Sequence, residues 1–131
     1  MRLILSMIFL LLLSGCSERR EMTEARQMID FTVVENREIP EELLELIEKN
    51  KAAEIRLSYT DGENLYLVRG YGEQKTGGYS ISVTECTEDT DTIWLNTRLL
   101  GPERQEKLSK EPSYPYLVIK MEGREKEAMI T

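Results

Sequence analysis

The residues whose types and spacing most suggest chemistry form a glycine-rich segment, GYGEQKTGGY, at positions 70–79. It holds four of the chain's eight glycines, together with two tyrosines and one lysine. Glycine is used where the backbone takes a positive φ or where another group approaches it closely. A segment of this composition suits four kinds of structure: a phosphate-binding loop, a catalytic loop, a recognition loop or a simple flexible turn.

The neighbours that nucleotide binding requires are missing from this segment. A P-loop has glycine directly before Lys-Thr, and here Gln74 precedes Lys75. A dinucleotide-binding fingerprint would need glycine at position 75. Both motifs also continue into a helix whose N-terminus holds the phosphate, whereas a strand pattern follows here at residues 80–84. The sequence therefore argues against phosphate binding.

The usual catalytic arrangements also lack essential groups. Lys75, Thr76 and Gly77 match the K-T-G triplet of penicillin-recognising enzymes, but no serine is followed by lysine three residues later, as that nucleophile motif requires. The chain has no histidine, which removes the Ser-His-Asp and Cys-His arrangements. No pair of carboxylates is set in the apolar surroundings that would raise a pKa. We therefore expect no catalytic residue, no cofactor and no enzymatic activity.

Three acidic residues in one turn, Glu88, Asp89 and Asp91, have side chains suited to weak calcium binding. They lack the Asp-x-Asp-x-Asp-Gly spacing and the distal glutamate of a calcium loop. We predict a solvated turn at this position and no metal site.

Recognition is the remaining role for the glycine-rich segment. Tyrosines separated by glycines offer rigid aromatic contact area and an approachable backbone, as in many binding loops. Alternatively, the tyrosines are sheet residues and the glycines permit a bulge or a tight crossing of strands. The residues by themselves leave both readings open. The predicted partner-binding residues are Tyr71, Gly72, Lys75, Thr76, Gly77, Gly78 and Tyr79.

The N-terminal residues are expected to direct the chain out of the cytoplasm. After Arg2 comes an apolar run that is too short to span a bilayer as a helix. It ends in Leu-Ser-Gly-Cys, which resembles the lipobox of bacterial lipoproteins, whose cysteine (here Cys16) is acylated and becomes the first residue. A short uncleaved anchor is the alternative. We predict a signal peptide at residues 1–15, a lipidated tether at 16–30, and a single domain at 31–131 on the extracytoplasmic face of the cell membrane.

The charge balance limits the classes of partner. The formal net charge is −7, with 24 acidic and 17 basic side chains. Nucleic acids and anionic lipid surfaces both reward an excess of lysine and arginine, so we expect neither to bind the protein surface. Membrane attachment is therefore expected through the lipid. With Cys16 acylated, Cys86 has no disulfide partner and is predicted to be a small buried apolar residue.

The elements that must position the loop are mostly strands. Pro40 and two glutamates predict the start of a helix over residues 40–49. Elsewhere apolar and polar residues alternate with a period of two, and Asp61-Gly62 is a hairpin turn signal. The strands are predicted over residues 31–35, 53–60, 63–69, 80–84, 92–100, 116–122 and 126–130. We expect a mainly β (α+β) fold, an antiparallel β-sandwich or sheet of six to seven strands with one N-terminal helix.

The loop and a later strand together resemble a known family. The sequence GEQKTGGYSI at residues 72–81, preceded by Tyr-Leu-Val and followed by YPYLVIK at 114–120, is similar to the C-terminal domain of PrcB-type protease-complex subunits. The resemblance covers about residues 55–121. Gln74-Lys75 stands where the family tends to have Lys-Pro, so this loop lacks a stiffening proline. The resemblance implies an accessory lipoprotein that supports the assembly or stability of a secreted or cell-surface protease.

Two alternatives follow from the same features. A looser likeness to chagasin-type cysteine-protease inhibitors, whose N-P-T-T-G-Y loop lies on an immunoglobulin-like β scaffold, implies a protease inhibitor that uses residues 72–79. A structural envelope lipoprotein with no dedicated ligand is the other alternative, in which the loop only connects two strands. The leading prediction is a membrane-anchored, non-catalytic protein-binding module.

Overall fold

Two four-stranded β-sheets, packed face to face, carry the fold in the computed structural model, which describes residues 25–104 and 110–131. Sheet A has the strand order β1-β5-β6-β8, and sheet B has the order β2-β7-β4-β3. The strands are β1 (Gln27–Met28), β2 (Thr32–Val33), β3 (Glu54–Asp61), β4 (Asn64–Tyr71), β5 (Ser80–Glu88), β6 (Thr92–Leu100), β7 (Tyr116–Glu122) and β8 (Glu127–Ile130). The prediction of a mainly β fold with one helix is confirmed.

Strand β4 separates two apolar cores. Leu65 and Leu67 point toward sheet A and pack with buried residues of both sheets, among them Leu95 and Ile119. Tyr66 and Val68 point the other way, into a second core beneath the helix. Because both faces of β4 are covered, its apolar residues run almost continuously instead of alternating with polar ones.

The helix, α1 (Glu41–Asn50), covers the outer face of sheet B. Leu43 and Ile47 are four residues apart, so they lie on one side of the helix, and both are fully buried. Pro40 immediately precedes the helix, and the acidic residues of the first turn complement the positive end of the helix dipole. The predicted helix is confirmed to within one residue. A short 3₁₀ helix, Asn36–Glu38, leads into it.

The predicted tether is wrong for its last residues. Gln27 and Met28 form strand β1, pairing with Glu88 and Thr87 at the edge of sheet A, and Ile29 is buried in the core between the sheets. Two residues are too few to show a period of two, and the pairing depends on a strand about 60 positions away, so the sequence pattern gave no sign of it. Cys16 and the predicted signal peptide lie outside the described residues.

The last two strands are not an antiparallel pair. Strand β7 lies in sheet B between β2 and β4, so both of its edges are occupied. Strand β8 therefore crosses to sheet A, where it pairs in parallel with β6, with Leu95 opposite Ile130. Gly123 begins the crossing, and a Cβ there would lie 2.7 Å from the carbonyl oxygen of Glu63, so only glycine fits.

The strands that flank the glycine-rich segment are longer than predicted. Strand β4 continues through Gly70 and Tyr71, which pair with Ile55 and Glu54. Strand β5 continues past a β-bulge between Val83 and Glu85, which interrupts the alternation that the prediction relied on. Within the described residues, no helix is both long and apolar enough to cross a membrane.

Candidate partner-binding loop

The glycine-rich segment links the two sheets. Tyr71 is the last residue of β4 in sheet B, and β5 of sheet A begins directly after Tyr79. Residues 72–79 therefore cross from one sheet to the other at one end of the sandwich. This end also carries the connection between α1 and β3 and the residues that lead into β7, because β3 and β7 start beside Tyr71 and Gly70.

Gly72 fixes the first part of the crossing. The φ angle of Gly72 is 77°, in the left-handed region, and Gly72 is buried. A Cβ at this position would lie 3.3 Å from the carbonyl oxygen of Ala52. The same carbonyl accepts a hydrogen bond from the backbone N–H of Glu73 at 3.2 Å. The glycine thus permits both the backbone turn and the close approach to the chain that follows α1.

A backbone bridge between Gln74 and Ser113 fixes the middle of the crossing. Each residue donates its N–H to the carbonyl of the other, at 2.8 and 3.0 Å. The Ser113 hydroxyl also donates to the carbonyl of Thr76 at 2.6 Å, and the Gln74 side chain donates to the carbonyl of Tyr71 at 3.2 Å. The loop is therefore anchored although it lacks the proline that the family pattern has at position 75.

The two tyrosines are not displayed as an exposed pair. Tyr71 is half-buried, and its hydroxyl shares a 2.6 Å hydrogen bond with that of Thr97 on sheet A. The guanidinium of Arg69 lies 3.9 Å from the centre of the Tyr71 ring. Tyr79 is also half-buried, and its ring edge lies 3.9 Å from the position of a Cβ on Gly101. For Tyr71 this geometry is that of a sheet residue that joins the two sheets.

The exposed part of the loop is its tip, residues 75–78. Lys75 and Gly78 are exposed, while Thr76 and Gly77 are half-buried. The Thr76 hydroxyl donates to the carbonyl of Gly77 at 3.2 Å, and Gly78 has a φ of 87°. Lys75 has no ion-pair partner among the described residues. The tip thus offers one unpaired cation and a stretch of backbone without large side chains.

Two residues beside the loop extend this surface, and the sequence analysis did not single them out. The Tyr114 hydroxyl donates to the Glu73 carboxylate at 3.1 Å, which raises the pKa of Tyr114. The Lys51 ammonium lies 5.4 Å from the centre of the Tyr114 ring. Its hydrogen bond with Glu48 raises the pKa of Lys51. Their proximity results from β3 and β7 starting at the same end of sheet B, which no local pattern shows.

Two of the three carboxylates of the predicted acidic turn, those of Glu88 and Asp89, form hydrogen bonds within the protein. Asp89 accepts hydrogen bonds from the backbone N–H groups of Asp91 and Thr92 at 2.9 and 2.8 Å, which lower its pKa. Hydrogen bonds from Lys126, which has the larger effect, and from Arg124 lower the pKa of Glu88. Among the described residues, no group of three or more potential metal-ligating side chains comes together.

Cys86 is a buried free thiol in strand β5. Burial is the main cause that raises the pKa of its thiol to about 11. At neutral pH the thiol is therefore protonated and is a poor nucleophile. The predicted buried apolar role of Cys86 is confirmed.

The comparisons with known proteins agree with the resemblance seen in the sequence. Residues 65–122 match a family model described as PrcB C-terminal. The match includes the whole loop, the Gln74–Ser113 bridge and most of strands β4 to β7. Comparison with curated proteins and with solved structures found no match. Residues 65–122, a little under half of the chain, are thus similar to the PrcB C-terminal family.

Proposed function

We propose that this protein is a non-catalytic accessory module that binds another protein through the tip of its glycine-rich loop. The partner is a secreted or cell-surface protease, whose assembly or stability the module supports. The module is held on the extracytoplasmic face of the cell membrane by a lipid on Cys16.

The observation that carries the proposal is the anchored loop with an exposed tip. Gly72 and the Gln74–Ser113 bridge fix the base of the loop, while Lys75 and Gly78 stay exposed. A loop that is already held in one conformation loses less conformational entropy on binding than a free one. Glycine at positions 77 and 78 also allows a partner to approach the backbone of the tip closely.

The absence of a catalytic role is supported by the state of the titratable groups. Within the described residues, the carboxylates whose pKa departs from its ordinary value, Glu85, Glu88 and Asp89, all have it lowered, so they are poor general acids near neutral pH. Cys86 is protonated, and the chain contains no histidine. A binding role needs none of these groups to react.

The association with a protease and with the membrane rests on sequence similarity. The matched family is named for a protease-complex subunit, and the Leu-Ser-Gly-Cys sequence before residue 17 is similar to a lipobox. Metabolic labelling with a fatty-acid analogue tests the anchor directly. Labelling of the wild type that is lost in Cys16→Ala supports it, and an unlabelled wild type contradicts it.

The loop is tested by capture of partners from detergent-solubilised membranes. The variant Lys75→Glu with Gly77→Gln changes the tip but not the anchors, and Gly77 does not have a positive φ that would strain the new side chain. We expect it to lose the partner that the wild type captures. The control Lys49→Glu makes the same charge change on the exposed end of α1 and should keep the partner. Equal capture by both variants would exclude the tip as the contact.

The inhibitor alternative uses the same tip but differs in outcome. The exposed tip crosses one end of the sandwich, a position from which it can enter a concave site. An inhibitor slows proteolysis by the captured protease at stoichiometric amounts, whereas a stabilising module preserves or increases proteolysis. Measuring the partner's activity with and without the purified protein separates the two. If the protein is structural and has no dedicated ligand, neither the wild type nor the variants should capture a partner.

A further inference from the structure

We infer that the outer face of sheet A is a self-association surface, on which two copies of this chain pack face to face. This surface is independent of the loop. It is made of the side chains of β1, β5, β6 and β8 that point away from sheet B. Whereas α1 covers the outer face of sheet B, every residue on the outer face of sheet A is half-exposed or exposed.

A row of four residues, three of them apolar, crosses this face in register. Met28 pairs with Thr87, Thr87 with Trp94, and Trp94 with Met129, so the four side chains lie side by side across all four strands. Met28 is 89% exposed and Met129 is 45% exposed. Leu100, further along β6 on the same face, is 42% exposed. Methionine and tryptophan are enriched in protein interfaces, and tryptophan is a frequent hot-spot residue.

Trp94 is held rigidly at the centre of the row. Its indole N–H donates to the Asp89 carboxylate at 3.3 Å, and the guanidinium of Arg26 lies 3.9 Å from the centre of its ring. Arg26 also forms a 2.9 Å ion pair with Glu85, which accepts a further hydrogen bond from Asn96. A contact residue that is already ordered loses little side-chain entropy when a partner packs on it.

The charges of the face identify a second copy as the partner. The chain as a whole carries −7, so two copies repel each other over most of their surfaces. The outer face of sheet A is an exception, because its charged side chains nearly balance. Arg26 pairs with Glu85, and the Asp89 carboxylate beside Trp94 accepts hydrogen bonds from the backbone. Arg98 and Glu127 are the other two charged side chains of this face.

The positions of these two charges also fix the orientation of the copies. Arg98 lies near one end of β6, while Glu127 pairs with Thr92 at the other end. Neither forms an ion pair within the described part of the chain. A twofold axis across the strands reverses their direction, which brings Arg98 of one copy near Glu127 of the other. An axis along the strands would bring like charges together.

The size of the face predicts a weak dimer. The strands β1, β5, β6 and β8 have two, nine, nine and four residues. At about 3.4 Å per residue and about 4.8 Å between strands, they give a contact of roughly 400 Å² per copy. A standard protein interface buries about 800 Å² per partner. We therefore expect dissociation constants between about 1 µM and about 1 mM, the range of weak complexes.

Charge exchange tests the inference on the full-length protein in detergent, with two differently tagged copies and capture of one by the other. Arg98→Glu alone and Glu127→Arg alone should each lose self-capture, because each places like charges opposite one another. The double variant Arg98→Glu with Glu127→Arg should regain it. A mixture of the two single variants should form the mixed pair that neither forms alone.

The controls separate this face from other surfaces and from sharing of detergent micelles. Lys49→Glu and Glu45→Arg make the same charge changes on α1 and should leave self-capture unchanged. Met129→Ser should weaken it several-fold, whereas Leu46→Ser, which removes an equally exposed apolar residue from α1, should not. Absence of self-capture in the wild type overturns the inference. Self-capture that the single charge variants do not change, or that the double variant does not restore, overturns it as well.

Discussion

Gln74 and Ser113 exchange both of their backbone hydrogen bonds, at 2.8 and 3.0 Å, although 39 positions separate them and neither belongs to a strand. This isolated bridge joins the loop between the two sheets to the segment that enters β7. These two hydrogen bonds hold the middle of the glycine-rich loop in place.

The Ser113 side chain should contribute to that anchoring. Ser113→Ala keeps the backbone bridge but removes the 2.6 Å hydrogen bond to the carbonyl of Thr76. We expect a loss of about 1 kcal/mol in the free energy of unfolding. Amide hydrogen exchange at Gln74 should also become faster, because the loop opens more easily. Ser58→Ala, at an exposed position of β3, is the matched control and should change neither quantity. Unaltered exchange in Ser113→Ala would contradict the anchoring role.

Gly72 should tolerate substitution less well than Gly62. Both have a positive φ, of 77° and 60° respectively, so alanine is strained at either position by about 1–2 kcal/mol. At Gly62 a Cβ has no atom within 4 Å, whereas at Gly72 it lies 3.3 Å from the backbone oxygen of Ala52. Denaturant unfolding should therefore show a larger loss of stability for Gly72→Ala than for Gly62→Ala. Equal losses of stability would mean that the closeness of Gly72 to Ala52 does not limit which residue fits at position 72.

Arg69 is a buried cation whose removal should cost little. Its guanidinium donates to the carbonyl of Gly70 at 2.5 Å and to Glu54 at 3.1 Å, but its Nε has no partner among the described residues. An apolar side chain of similar length needs no such partners, so Arg69→Met should be near neutral or stabilising. Glu54→Gln leaves the buried charge without its anion and should cost about 1–2 kcal/mol, reduced because Glu54 is half-exposed. Thermal unfolding that ranks the two variants in the opposite order would contradict this account.

Glu88 should make the fold sensitive to acid. Hydrogen bonds from Lys126 and Arg124 hold the pKa of Glu88 below its ordinary value of 4.5. A group whose pKa is lower in the folded state stabilises the fold above its unfolded pKa, and this contribution disappears as the pH falls through the folded pKa. The stability difference between wild type and Glu88→Gln should therefore be constant above about pH 5 and shrink below pH 4.5. A difference that does not change with pH would show that the ion pairs do not stabilise the fold.

The helix and the long strands could be predicted from the sequence because their signals are local. Leu43 and Ile47 have helical spacing, and the predicted bounds of β6, Thr92 and Leu100, are the bounds that the structure shows. The resemblance to the PrcB C-terminal family is visible in the sequence, because it lies in the types of consecutive residues in the loop. Strand β1 and the parallel pairing of β8 could not be predicted, because each depends on a partner strand far away in the chain.

For the candidate loop, too, some properties follow from the sequence and others only from the tertiary structure. The sequence by itself determined that the loop contains glycines, tyrosines and one lysine, and that nucleotide-binding and histidine-dependent chemistry lack the residues they need. Only the tertiary structure decided which of these residues are available to a partner. It holds Tyr71 between the sheets through Thr97, anchors Gln74 to Ser113, and leaves Lys75 and Gly78 exposed. The physical reason is that exposure and anchoring depend on residues brought together by strand pairing across the sandwich, and the order of residues along the loop does not contain that information.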